Sequence, residues 1–296
     1  MASQRDVRNK IASVKNIQKI TRAMEMVAAA RLRRAEMRIA SLRPYADAIT
    51  RMTSQAAVAA GSEGQRIDLL REHESQSNVG ILLVTGDRGL AGGFNSQIIR
   101  AGVRLSADLA EEGLRSVWYA TGRRGVSSLS FRGHELSGSY TGFSDRPAYA
   151  DARTVAEDLI QAYVEERVDR VEMLYNSYVS PLTQRVTRQR LLPLSHEALM
   201  GAEDSDELIS PAAVDYEPGP EEILRRLVPD YIEISIYRAL VESAAGFFGA
   251  QMTAMRSASE NAGEIITDYT LQMNRARQAE ITQEIMEVVA GAEGLS

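Results

Sequence analysis

TGDRGLAGGFN, Thr85–Asn95, is the stretch whose reading decides the fold. An apolar run, Val79–Val84, precedes it and reads as a buried strand; Ser96–Leu109 follows and reads as a helix. Strand, glycine-rich turn and helix form the layout that cradles phosphates in nucleotide enzymes. Its glycines, at 86, 89, 92 and 93, do not spell G-x-G-x-x-G, no G-K-[ST] follows, and Arg88 is the only cation in the turn. The turn is therefore expected to be structural, with glycines permitting positive φ and Asp87 or Asn95 capping a helix.

Outward from the turn, residues 78–200 alternate strands and helices. Further strands are expected at Ser116–Ala120, Leu136–Tyr140 and Arg170–Asn176, with Leu182–Leu192 as an edge strand. Helices are expected at Arg123–Leu129 and Asp151–Glu166. This spacing predicts a central α/β domain with a mostly parallel, Rossmann-like sheet. Gly61–Ser77 and the acidic, proline-bearing Gly201–Pro220 read as linkers.

Both ends of the chain are helical in pattern. Residues 1–60 form the first helix, whose apolar positions are Val7, Ile11, Val14, Ile17, Ile20, Met24 and Val27, then Ala28, Leu32, Ala35, Ile39, Leu42, Ala46 and Ile49 in steps of four and three. Pro44 is expected to kink it. In residues 221–296 the same steps run from Val241, Ala245, Phe248, Met252 and Met255 to Ala276, and Ile281, Ile285 and Val288 resume after a slip of phase. Such alternation is the 3.5-residue period of a left-handed coiled coil. At 1.5 Å per residue these helices would be roughly 85 and 105 Å long. A head of this size has a radius of gyration of about 14 Å, so the pair is expected to project from it as a two-helix rod.

Charge is unevenly spread. The net charge is −6, but residues 1–51 hold twelve Lys/Arg against four Asp/Glu, a balance of +8. Residues 221–296 hold six Arg against twelve Asp/Glu, a balance of −6, so the two ends are expected to pair. The basic arm lacks the interleaved aromatics of a single-strand nucleic-acid binder. With no cysteine, disulfides and thiolate chemistry are excluded. His73, His134 and His196 are isolated and expected at the surface, with no metal-ligand spacing. No catalytic, cofactor or metal site emerges. Two other readings stay open from the residues alone: a small nucleotide-binding enzyme with helical arms, and a coiled-coil adaptor.

RNKIASVKNIQKITRAMEMVAAARLRRA at Arg8–Ala35, with RPYA at Arg43–Ala46, resembles the N-terminal helix of gamma subunits of F-type ATP synthases. GDRGLAGGFN at Gly86–Asn95 resembles that family's central turn, and SASENAGEIITDYTLQMNRARQAEITQEIMEVVAGAEGL at Ser257–Leu295 is similar to its C-terminal signature. Ala91 stands where many relatives have cysteine, and Glu280 where a small residue is usual. The resemblance implies a non-catalytic rotor without a cofactor: an antiparallel two-helix coil inside a ring of alpha and beta subunits, with the head resting, beside epsilon, on the c-subunit ring. It places Lys19, Arg22, Met24 and the arginines of RLRR (Arg31, Arg33, Arg34) at the ring's collar. Arg277, Gln278, Thr282 and Glu284 match positions that meet a beta-subunit loop, and Arg275 lies nearby. A motif beginning almost at Met1, without the cysteines of plastid versions, implies a bacterial enzyme, peripheral on the cytoplasmic face of the plasma membrane.

Overall fold

A computed structural model describes residues 4–64, 66–74, 76–194 and 216–293, apart from the side chains of 62–63 and 291–293. Two long helices, α1 (Gln4–Gly64) and α5 (Pro220–Glu293), flank a central alternation of β1 (Asn78–Val84), α2 (Phe94–Glu111), β2 (Arg115–Thr121), α3 (Arg123–Phe131), β3 (Leu136–Tyr140), α4 (Tyr149–Val164), β4 (Arg170–Ser180) and β5 (Thr183–Leu192). The chain forms two compact units. One comprises Ala30–Ala250; the other comprises the residues up to Ala29 with those from Gln251 on.

In the larger unit the sheet order is β3-β2-β1-β4-β5. The first four strands are parallel, and β5 returns antiparallel along β4. The central strand β1 is an almost unbroken apolar run because both of its faces are covered. On one face Ile81, Leu83, Trp118, Ala120 and Leu174 pack on Ile98, Leu105 and Leu109 of α2 and Leu129 of α3. On the other, Leu82, Val84, Val171 and Met173 pack on α4 and on the parts of α1 and α5 that belong to this unit, through residues such as Ala56, Leu224 and Ile232. Ile67 and Leu69, in the segment after α1, are buried in the same cluster. The β4–β5 hairpin is stapled by Glu172, a buried carboxylate that accepts a forked pair of bonds from Arg188 (3.1 and 3.2 Å) and also faces Arg170 and Arg190.

Pro44 does not break α1. Helical dihedrals continue through it, and the non-helical residue is Gly61 (φ +52°). Pro44 lies on the exposed side of the helix, where a missing N–H and a small bend are tolerated.

In the smaller unit the two helical segments run antiparallel. Lys10 sits over the Tyr269 ring (5.8 Å), Gln18 Nε2 donates to the Ser259 carbonyl (3.2 Å), and Arg256 pairs with Glu25 (2.8 Å). On α5 the buried and half-buried positions include Met252, Met255, Ser259, Ala262, Ile266, Tyr269, Met273 and Ala276, all expected from the sequence, together with flanking residues such as Ala254, Ala258, Thr270 and Asn274. On α1 they include Val7, Ile11, Val14, Gln18, Thr21, Met24, Glu25 and Ala28. Ile17, Ile20 and Val27, expected in the seam, are exposed, and Gln18, Thr21 and Glu25 take the inward places. The four-three spacing survives, but its phase there is carried by polar residues: Gln18 and Glu25 bond across to α5, and Thr21 Oγ1 donates to the Gln18 carbonyl within α1.

Candidate functional site

In a parallel sheet of this order, the crevice open to a ligand lies at the carboxyl ends of β1 and β4, where the connections leave in opposite directions. Here that crevice is filled from within. Phe94 of α2 and Phe247 of α5 meet edge to face, 5.7 Å apart. The space left beside Thr85, Gly86 and Ser144 is ≈ 10 Å³, no more than one water requires. At Gly86 a Cβ would lie 3.1 Å from the Phe247 ring, a tight contact that glycine avoids. Its missing side chain makes room for a phenylalanine rather than for a phosphate.

The first two N–H donors of the turn are also engaged. The Gly86 N–H donates to Asn95 Oδ1 (2.8 Å), and Asn95 Nδ2 donates to the Arg88 carbonyl (3.0 Å). The Asp87 N–H donates to Ser144 Oγ. The Asp87 carboxylate accepts the N–H groups of Arg123, Gly142 and Ser144 at 3.0–3.1 Å. Burial pushes the Asp87 carboxyl up, but hydrogen bonds from Gly142, Ser144 and Arg123 outweigh it and hold the group below the ordinary 3.8. Asp87 thus caps α3, as expected. Asn95 does not cap; it staples its own turn. Of the turn's four glycines Gly92 alone has positive φ (+54°), and Leu90 shares that conformation (+63°).

His73 is not a surface histidine. It stacks on Tyr163 (4.3 Å between centroids), and its Nδ1 lies 3.1 Å from Asp169 Oδ1. Burial raises the Asp169 carboxyl, and bonds from Asn78, Ser77 and His73 more than offset this. His134 is half-buried against Trp118, and His196 lies outside the described residues. Among the described residues no group of His, Asp or Glu converges to hold a metal ion, and no helix is long and apolar enough to cross a membrane.

The residues singled out for partner contact fall in two zones of the smaller unit. Lys19 and Arg22 are exposed and Met24 is half-buried, within the stretch of α1 between Gln18 and Glu25 that pairs with Ser259 and Arg256. Arg277, Gln278, Thr282 and Glu284 are all exposed, farther along α5. The antiparallel register runs α1 out before Arg277, so this last part of α5 has no α1 segment beside it. Thr282 Oγ1 donates back to the Gln278 carbonyl (2.8 Å). Around both zones large apolar side chains face outward: Ile20 is 58% exposed and Val288 72%, with Ile17, Met26, Val27, Ile281, Ile285 and Met286 also exposed. The RLRR arginines divide. All three lie in the larger unit; Arg33 and Arg34 are exposed, whereas Arg31 binds Asp145 (3.2 Å) and lies over the Phe248 ring (5.7 Å).

A family model described as ATP synthase matches residues 3–295. The ATP synthase gamma chain of Rubrobacter xylanophilus is 42% identical over all of this chain and 99% of its own length. That of Streptomyces coelicolor is 42% identical over all of this chain and 97% of its own. Among solved structures, the central stalk and c-ring of the Tetrahymena thermophila mitochondrial ATP synthase contains a chain similar at TM-score 0.58 and 25% identity, covering 81% of this chain and 99% of that one. A chain in the rotor of the Euglena gracilis enzyme shares the fold at TM-score 0.65 and 16% identity, covering 94% and 98%. Matched along its whole length by the family model and by these relatives, this chain belongs to the ATP synthase gamma-chain family.

Proposed function

We propose that the chain is the rotating central shaft of an F-type ATP synthase, carrying torque between the proton-driven c ring and the alpha/beta ring where ATP is made. In this reading residues 1–60 and 221–296 form the shaft as a coiled coil, 78–200 the head, and 61–77 and 201–220 the links between them. The chain itself is non-catalytic, and its Thr85–Asn95 turn holds no nucleotide. The head sits with epsilon on the c ring, peripheral to the cytoplasmic face of a bacterial plasma membrane.

The observation that carries the proposal is the outward apolar surface of the smaller unit. Ile281, Ile285 and Val288 recur along one side of a helix with no α1 segment to cover them, and Ile17, Ile20 and Val27 face away from the α1–α5 seam. A water-exposed stripe of this kind calls for a surrounding partner. The alpha/beta ring provides one, and its lining must release each contact as the shaft turns. Lys19, Arg22 and Met24 meet the collar, and Arg277, Gln278, Thr282 and Glu284 meet a beta-subunit loop through directional, reversible hydrogen bonds. The filled crevice at Thr85–Asn95 supports the absence of a nucleotide there.

The test is a cross-link in the assembled complex, where this chain contributes no native thiol. A cysteine at Met24, joined to one on a facing ring subunit in near-complete yield, is expected to stop sustained ATP turnover. Reduction should restore it. Undiminished turnover with the shaft so fixed would refute rotation.

A further inference from the structure

Within the larger unit, one face of α1 and the loop before α4 enclose an open concavity of ≈ 340 Å³. Arg31, Arg34 and Arg38 line one side and Arg146 the other, with Asp145 as the single acid; the floor is apolar, formed by Ala35, Ala244 and Phe248. The charges do not balance. Asp145 is engaged by Arg31 (3.2 Å) and by Arg88 (3.5 Å). No ion pair among the described residues involves Arg34, Arg38 or Arg146. Arg34 spends its Nε on the Ala30 carbonyl, leaving its other N–H groups. Arg38 is half-buried.

Stability does not account for this grouping. Arg34 and Arg38 are four residues apart on a helix, a spacing at which like charges repel. A half-buried guanidinium without a carboxylate also carries a desolvation cost. What would offset both is an anion with several charges and many acceptor oxygens in a small volume. Planar guanidinium forks suit tetrahedral oxyanions because each can give two parallel N–H bonds. A lone carboxylate would neutralise one of the three surplus charges.

We propose that this concavity binds a condensed phosphate, either free or as the phosphate tail of a nucleotide. Arg34, Arg38 and Arg146 supply the forks, and Arg31 is held in place by Asp145 and Phe248. The site is separate from the filled crevice at Gly86 and does not depend on the chain being a rotor.

The full-length chain is titrated with inorganic pyrophosphate at physiological ionic strength, followed by calorimetry and by phosphorus NMR. Saturable binding to one site is expected. Arg38→Gln and Arg146→Gln should each weaken it by roughly tenfold or more, as loss of a charge-assisted hydrogen bond implies. Arg38→Lys, which keeps the charge and loses the fork, should fall between. Arg104→Gln, on the exposed side of α2, should leave binding unchanged. Arg146 lies on an exposed loop, so its variant tests the site even if Arg38→Gln fails to fold. A second titration uses ADP. Competition with pyrophosphate, with the same dependence on Arg38 and Arg146, would make a nucleotide tail the ligand; lack of competition would make it free condensed phosphate. The proposal is overturned if pyrophosphate does not saturate at millimolar levels, if Arg104→Gln weakens binding as much as Arg146→Gln, or if neither Arg38 nor Arg146 matters.

Discussion

Removing the Asp87 carboxylate tests whether the glycine-rich turn is a structural joint. Asp87→Ala strands three backbone N–H groups, those of Arg123, Gly142 and Ser144, now held at 3.0–3.1 Å. Arg123 and Gly142 lie at the surface, where water takes over most of each bond, so about 1 kcal/mol is assigned to each; Ser144 is less accessible and is assigned about 1–2, giving ~3 kcal/mol in all. Asp87→Asn keeps one acceptor and should lose about half of that. The assay is urea unfolding of the full chain followed by emission of Trp118, the single tryptophan, buried on β2. Because the folded carboxyl titrates below its unfolded value, its contribution is complete above about pH 5. It is lost as the pH falls below the ordinary 3.8 and through the folded value. The gap between wild type and Asp87→Asn should therefore be constant from pH 7 to about 5 and shrink in more acid solution. A loss below ~1 kcal/mol for Asp87→Ala, or a gap that widens with acid, would refute the assignment of Asp87 as the chain's own occupant of this site.

Gly122→Ala should be more severe. Gly122 has φ +83°, and a Cβ there would lie 2.2 Å from the Thr85 carbonyl oxygen, so a loss above ~3 kcal/mol is expected in the same urea assay. Ile285→Asp changes an exposed residue and should leave the isolated chain within about 0.5 kcal/mol of wild type, yet lower its yield in complexes reconstituted with alpha and beta subunits; equal yields would count against a ring around this segment. Met24→Lys adds a cation beside Lys19 and Arg22. Assembled complexes should hydrolyse ATP but pump protons less per ATP, read by dye quenching in vesicles, and normal coupling would remove Met24 from the moving contact.

The sheet was legible because its signals are local. β3 spans Leu136–Tyr140, as the sequence predicts, and β1 and β2 differ from expectation by a residue at an end or two. A strand buried on both faces writes itself as an apolar run, and glycines mark where it stops. β4 runs on to Ser180, past the expected Asn176, since its last residues are held by pairing across the hairpin to β5, Ser180 opposite Thr183. That support comes from another strand and leaves no apolar trace. The candidate contact residues near Arg277 were legible only through resemblance; as a pattern they are an exposed helix like many others. The Arg31–Arg146 concavity was not legible, because its two sides lie more than a hundred residues apart in the chain.

By itself the sequence determined the class of each segment: two long helices with a four-three apolar period and a strand–helix alternation between them. Periodicity needs only the residue's own neighbours, and burial on one side of a helix or both sides of a strand imposes it directly. Tertiary structure alone decided which side of α1 turns inward. Ile17, Ile20 and Val27 have the stronger apolar claim, yet Gln18, Thr21 and Glu25 hold the seam. The reason is that a polar group can be buried only where a partner satisfies it. For Gln18 and Glu25 those partners are the Ser259 carbonyl and Arg256, which come within reach only once the two ends of the chain run antiparallel.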